Sequence, residues 1–119
     1  MALIATVNGK ASGATTVART TLTGADTLLV KSGITQVLVL ENTGVATPTI
    51  NIDGGLASTV NCRGIGDPID VSGGFDILLA AGAVKTIPLS SIAAYTNDAA
   101  NTPAVTGGTA DVLAYIIEL

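Results

Sequence analysis

The run Val37-Leu38-Val39-Leu40 and the alternating segment Thr49-Ile50-Asn51-Ile52-Asp53 decide the fold of this chain. The first is a short apolar run between polar residues, which is typical of a strand buried on both faces. The second places Ile50 and Ile52 on one face and polar side chains on the other, the period of two of a half-buried strand. Joined by the turn residues Asn42-Thr43-Gly44, the two segments predict a sheet that contains a central strand.

Short strands and turns are indicated along the rest of the chain as well. Fourteen Gly interrupt it, β-branched residues are common, and the helix-favouring residues Glu, Lys, Gln, Arg and Met are few. Two strand segments, Ile34 to Glu41 and Thr47 to Asp53, include the deciding stretches. Further strands are expected at Leu3 to Val7, Thr15 to Leu22, Thr27 to Val30, Ile69 to Val71, Phe75 to Leu79, Ala83 to Ile87, Pro103 to Thr106 and Asp111 to Glu118.

Glycine-containing turns separate several of these segments. Asn8-Gly9, Ala80-Ala81-Gly82 and Gly107-Gly108 are interpreted as hairpin turns. Pro88 to Tyr95 is interpreted as one helical turn, and Leu56 to Pro68 as a surface loop.

This pattern predicts an all-β fold of about eight short strands. We expect an antiparallel β-sandwich of jelly-roll or related Greek-key type, with a closed barrel as the alternative. Residues 1–119 form one domain with an extended N-terminal segment, 1–14. The predicted core is Val37 to Leu40, Ile50, Ile52, Ile77, Leu79 and Ile116.

Composition excludes several classes of function. The chain has 119 residues, a net charge of −4, no His and one Cys. Without His, no Ser-His-Asp or Cys-His catalytic set and no imidazole-bound metal can exist. Five scattered Lys and Arg cannot neutralise a phosphate backbone, so we expect no nucleic-acid partner. No apolar run approaches the length of a membrane span or a signal peptide, so we expect no membrane partner and synthesis in a cytoplasm.

The remaining polar candidates favour structural roles. Asp53, Asp67 and Asp70 lack the spacing of a calcium loop and suit turn chemistry. Gly64-Ile65-Gly66 lacks the third Gly, the helix and the Lys of a phosphate-binding loop. Cys62 has no His to activate it and is interpreted as a small hydrophobe. We therefore predict no catalytic, cofactor or metal site, and no enzyme.

The last strand, Asp111 to Glu118, is apolar on both faces. Val112, Ala114 and Ile116 share one face, and Leu113, Tyr115 and Ile117 share the other. Such a strand is either covered on both sides or used for assembly with other subunits.

The order of the segments between residues 15 and 119 resembles the capsid decoration, or cement, proteins of tailed bacteriophages. The resemblance rests on the stretches Gly33 to Gly44, Thr49 to Gly54, Ala80 to Leu89 and Ala93-Ala94-Tyr95, followed by the Gly-rich last hairpin. It implies a β-sandwich, symmetric assembly as a dimer or trimer, and binding to the major capsid protein on the outer surface of a virion. A carbohydrate- or ligand-binding β module of a phage tail or fibre is the alternative.

A decoration protein would contact the shell through segments with few internal partners. The N-terminal segment Ala2 to Val7 and the loop Leu56 to Pro68 are the expected segments. The candidate contact residues are Ala2, Leu3, Ile4, Val7, Leu56, Val60, Arg63 and Ile65.

Overall fold

The computed structural model describes residues 2–10, 13–14, 16–55, 59–60, 69–70, 72–96 and 101–119. Within these residues the backbone forms eleven β-strands and one 3₁₀ segment, Leu89–Tyr95. The strands are β1 (Thr6–Asn8), β2 (Thr20–Thr21), β3 (Ala25–Thr27), β4 (Gln36–Asn42), β5 (Thr49–Asp53), β6 (Thr59–Val60), β7 (Ile69–Asp70), β8 (Phe75–Leu78), β9 (Val84–Pro88), β10 (Ala104–Thr106) and β11 (Val112–Glu118). In the described part of the chain, no helix has the length and apolar character that a membrane crossing requires.

The strands pair as one long nested hairpin. β2 pairs with β11, β3 with β10, β4 with β9, β5 with β8 and β6 with β7, each antiparallel. Lateral pairing of β11 with β4 and of β10 with β5 gathers the outer four pairs into two sheets. Sheet 1 has the order β2-β11-β4-β9 and sheet 2 has the order β3-β10-β5-β8. This is the strand order of a jelly roll, so the predicted β-sandwich is confirmed.

Aliphatic side chains that alternate along the strands fill the space between the sheets. Leu38 and Leu40 of β4 in sheet 1 and Ile50 and Ile52 of β5 in sheet 2 are each fully buried. The other predicted core residues are buried too, except Val37, which is half-buried. The continuous run in β4 and the alternation in β5 thus correctly predicted a central strand and a half-buried one.

The N-terminal segment Ala2 to Asn8 joins the edges of both sheets. Leu3 forms a bridge with Thr27 of β3, and β1 pairs in parallel with β11. The Ile4 N–H donates to the Thr27 carbonyl oxygen at 2.9 Å, and the Ile4 side chain is 1% exposed. The expectation that this segment has few internal partners is therefore wrong, because its backbone and its largest inward side chain are both engaged.

Asp26 holds the start of this segment. Its position in β3 is paired with Val105, so its side chain lies on the core side of sheet 2, and the residue is 1% exposed. The carboxylate accepts hydrogen bonds from the Thr23 N–H at 2.8 Å, the Thr23 hydroxyl at 2.7 Å and the Ala2 N–H at 3.2 Å. Burial raises the pKa of Asp26, but the hydrogen bonds from Thr23 and Ala2 outweigh it and the pKa lies below its usual value.

A second buried polar side chain, Asn42, lies at the end of β4. Its amide nitrogen donates to the carbonyl oxygens of Ala46, Leu79 and Ala80 at 2.8, 3.0 and 3.2 Å. Its amide oxygen accepts from the Gly44 N–H at 3.0 Å, and the residue is 2% exposed. Asn42 thereby ties the β4–β5 connection to the β8–β9 connection.

The three predicted hairpins are not hairpins. The turn at Ala80-Ala81-Gly82 leads from β8 in sheet 2 to β9 in sheet 1, and Gly107-Gly108 leads from β10 in sheet 2 to β11 in sheet 1. Asn8-Gly9 follows β1, which pairs in parallel with β11 and not with the next strand. Each of these turns reverses the chain as its residues predicted, but the strands on either side find other partners.

Candidate interaction surface

The outward side of sheet 1 carries a continuous apolar surface. In register, Val37 and Val39 of β4 lie opposite Ile117 and Tyr115 of β11. Directly opposite residues share a face of the sheet, and here that face is the one opposite to the core residues. We call this surface the apolar face; its members are Val7, Val37, Val39, Val84, Leu113, Tyr115 and Ile117.

Exposure varies across the apolar face. Val84, on the edge strand β9, is 58% exposed, whereas Val39, at the centre, is only 4% exposed. The remaining members are half-buried. Because Tyr115 lies opposite Val39, its ring is in a position to pack beside the valine, as aromatic and β-branched cross-strand pairs do.

Sheet 2 presents a surface of a different kind. Thr49, Asn51 and Asp53 of β5 and Asp76 of β8 lie on its outward side. Asn51 donates from its amide nitrogen to the Asp76 carboxylate at 2.8 Å. Leu78, 58% exposed, is the large apolar side chain that accompanies them among the described residues. Antiparallel sheets commonly have one solvated face, and sheet 2 follows this rule while sheet 1 does not.

Polar and backbone groups bound the apolar face at two ends of β11. The Arg19 guanidinium reaches Glu41 with Nη1 to Oε2 at 2.7 Å. Since β11 lies between β2 and β4, the Arg19 side chain must cross β11 near Leu113, the residue opposite Glu41. At the other end, a Cβ on Gly9 would lie 2.8 Å from the Ile117 side chain, so the Gly9 backbone packs directly on it.

The candidate contact residues in the N-terminal segment have separate positions. Val7 belongs to the apolar face, and Leu3 is 57% exposed. Ala2 is half-buried and bonded to Asp26. Ile4 lies in the core, so its side chain is not available to another protein, and its selection as a contact residue is corrected on this ground.

The candidates in the second segment give no further geometry. Leu56, Arg63 and Ile65 lie outside the described residues, as do Cys62, Asp67 and most of the predicted loop Leu56 to Pro68. Val60 belongs to β6, where it pairs with Ile69 of β7. The structure therefore carries the contact hypothesis for Val7 and Leu3 and leaves these four positions as predictions.

Sequence reasoning identified half of the apolar face and missed the other half. It singled out Leu113, Tyr115 and Ile117 because β11 is apolar on both faces. It assigned Val37 and Val39 to the core, although these two side chains extend the same outward surface. The signal that was available is the length of the apolar run in β4, since a strand at the core of one sandwich needs only every second residue to be apolar.

Few groups with chemical potential converge elsewhere. In the part of the chain that the structure describes, no three Cys, Asp or Glu side chains are grouped so that they could hold a metal ion. A cleft of about 230 Å³ lies between the β3–β4 connection and the 3₁₀ segment. It is lined by Val30, Lys31, Ile34, Thr35, Gln36, Leu89, Ser90, Ala93 and Thr96. Its volume is below the roughly 300–1,000 Å³ of typical small-molecule sites.

Comparison with models of protein families, with curated proteins and with solved structures finds no match for this chain.

Proposed function

We propose that this protein is a non-enzymatic virion structural protein that decorates and stabilises the outer surface of a phage capsid. The observation that carries the proposal is the difference between the two outward sheet faces. Sheet 2 presents Thr, Asn and Asp side chains, whereas sheet 1 presents seven apolar residues in register. An apolar sheet face on a small sandwich supports docking against another protein. The resemblance to decoration proteins names that protein as the major capsid protein.

The size of the apolar face favours binding to an assembled shell. Four strands at ~4.8 Å spacing and seven residues at ~3.3 Å give a face of roughly 450 Å². A stable complex in solution usually buries about 800 Å² on each partner. The apolar face alone is thus too small for tight binding to a single free subunit. A dimer or trimer of the protein, holding several faces together on one particle, gains the missing affinity through effective concentration.

The stabilising mechanism is passive. Each copy bridges neighbouring capsid subunits and adds buried interface to contacts that internal DNA pressure tends to open. Because the copies bind only the assembled shell, they shift its stability by mass action, as any ligand of a native state does. No proton transfer, metal or cofactor enters this mechanism.

A matched pair of substitutions tests both the function and the face. Val84 on the apolar face and Leu78 on the opposite sheet are each 58% exposed, so lysine at either position is equally tolerable to the fold. We expect Val84→Lys to lower the number of copies per particle and the temperature of DNA release, and Leu78→Lys to leave both unchanged. Equal DNA release from particles with and without the wild-type protein, or its location in the tail, would contradict the decoration function.

The cleft beside the 3₁₀ segment favours a second candidate function, a ligand- or carbohydrate-binding module of a phage tail or fibre. Lys31, Thr35 and Ser90 supply polar groups in its wall, beside the aliphatic Leu89. A screen of oligosaccharides by calorimetry tests this alternative. Binding that Ser90→Ala and Thr35→Ala abolish, without any effect of Val84→Lys on the particle, would support it over decoration.

A further inference from the structure

The carboxylate of Asp26 is a buried charge whose described partners are all neutral. It lies on the core side of sheet 2 and is bound by Thr23 and by the Ala2 N–H. The backbone N–H of Gly24 also faces it. In the described residues, ion pairs join Arg19 to Glu41 and Lys31 to Glu118, so neither involves Asp26. A buried carboxylate is ordinarily stabilised by a cation as well as by hydrogen bonds.

The nitrogen of Ala2 is held in a fixed place beside this carboxylate. It lies 3.2 Å from Asp26 Oδ1. The Ala2 carbonyl oxygen accepts from the Thr27 N–H at 2.8 Å, and Ile4 fixes the next turn of the segment in the core. The contact is therefore built by the fold, and its nitrogen is the backbone atom that follows the Met1–Ala2 peptide bond.

We propose that the functional chain begins at Ala2, and that its α-ammonium group forms a buried ion pair with Asp26. Hydrolysis breaks the C–N bond between Met1 and Ala2. The hydroxyl of a water molecule goes to the methionine carbonyl carbon, and the proton goes to the Ala2 nitrogen. Aminopeptidases that remove an N-terminal methionine require a small residue after it, and Ala2 meets this requirement. The product is a cation at the position that the Asp26 carboxylate already faces.

This ion pair replaces a neutral hydrogen bond by a charge-assisted one, which is roughly twice as strong. Its consequence is a firmer attachment of the segment that carries Ile4 and β1. The α-amino group of an unfolded chain has a pKa of roughly 7.7–8.0, and the carboxylate raises the pKa of this group in the folded state. The added stability is therefore fully present below about pH 8 and is lost as the pH rises through the raised value.

The test compares two forms of the full chain, one that begins at Ala2 and one that retains Met1, each released from a cleavable N-terminal fusion. At pH 7 we expect the Ala2 form to melt a few degrees higher. The advantage should disappear in the Asp26→Asn background and shrink at pH 10. Chemical acetylation of the Ala2 form keeps the N–H donor but removes the charge, and it should abolish the advantage even if Asp26→Asn fails to fold.

Mass spectrometry supplies the independent measurement. Protein made in cells without a fusion should be lighter than the encoded chain by one methionine residue. Retention of Met1, equal melting temperatures of the two forms, or an advantage that survives acetylation would each overturn the proposal. None of these outcomes depends on the capsid, so the inference and the decoration function stand or fall separately.

Discussion

Replacement of Asn42 by alanine should destabilise the fold through lost hydrogen bonds inside the sandwich. The amide nitrogen of Asn42 donates to Ala46, Leu79 and Ala80, and its oxygen accepts from Gly44. The two N–H groups and one carbonyl group of the amide make about three effective bonds, and each contributes roughly 1 kcal/mol. We therefore expect Asn42→Ala to lower the free energy of unfolding by about 3 kcal/mol.

Asn51 provides the matched control for this substitution. Its amide nitrogen also donates twice, to the Gly73 carbonyl oxygen at 2.7 Å and to the Asp76 carboxylate at 2.8 Å, but at the surface of sheet 2. Water can replace both bonds there, so Asn51→Ala should cost less than about 1 kcal/mol. A third variant, Asn42→Asp, keeps the shape but turns a carboxylate toward three carbonyl oxygens, so it should be worse than Asn42→Ala at neutral pH.

Urea unfolding followed by circular dichroism and by tyrosine fluorescence measures these differences. The slope of the free energy against urea should stay the same, since the substitutions do not change the surface exposed on unfolding. A loss at Asn42 equal to or smaller than the loss at Asn51 would refute the reasoning that burial makes the Asn42 contacts decisive. Asn42→Asp as stable as wild type would refute the assignment of the amide nitrogen as donor.

Three further outcomes follow from the structure. Leu38→Ala, in the core, should cost about 2–5 kcal/mol, whereas Val84→Ala, on the edge strand, should cost less than about 0.5 kcal/mol in chemical unfolding. Stability should fall as acid protonates Asp26, because a lowered pKa contributes stability that is present above the unfolded value near 3.9 and lost below it; Asp26→Asn should flatten this acid limb. Gly107→Ala should lower the melting temperature more than Gly82→Ala, because both residues have positive φ but only at Gly107 would the new methyl group meet the β5 backbone.

The sequence predicted β4, β5 and β11 well because their patterns report burial directly. Burial of alternate residues is a local consequence of the strand period, and it is visible in Ile50 and Ile52 without knowledge of the partner strand. The 3₁₀ segment after Pro88 follows equally from local rules, since its Leu89 and Ile92 both enter the core.

Strand pairing could not be predicted in this way. A glycine turn such as Ala80-Ala81-Gly82 has the same local chemistry whether the next strand pairs with the previous one or crosses to the other sheet. The choice depends on the nested pairing of the whole chain, in which β9 pairs with β4 and β8 with β5. The N-terminal segment was misjudged for the same reason, because its partners in β3 and β11 are about 20 and 110 residues away.

The same two strands supply both the core and the proposed docking face, and the strand period separates the two roles. In β4, Leu38 and Leu40 point into the sandwich, while Val37 and Val39 point to the apolar face. This arrangement explains why the run in β4 is apolar without interruption: one set of residues holds the fold together, and the other is retained for contact with a partner. Sheet 2 needs no such second set, and its strand β5 alternates cleanly with polar residues. The uninterrupted run is therefore the part of the sequence in which the fold and the proposed function are written together.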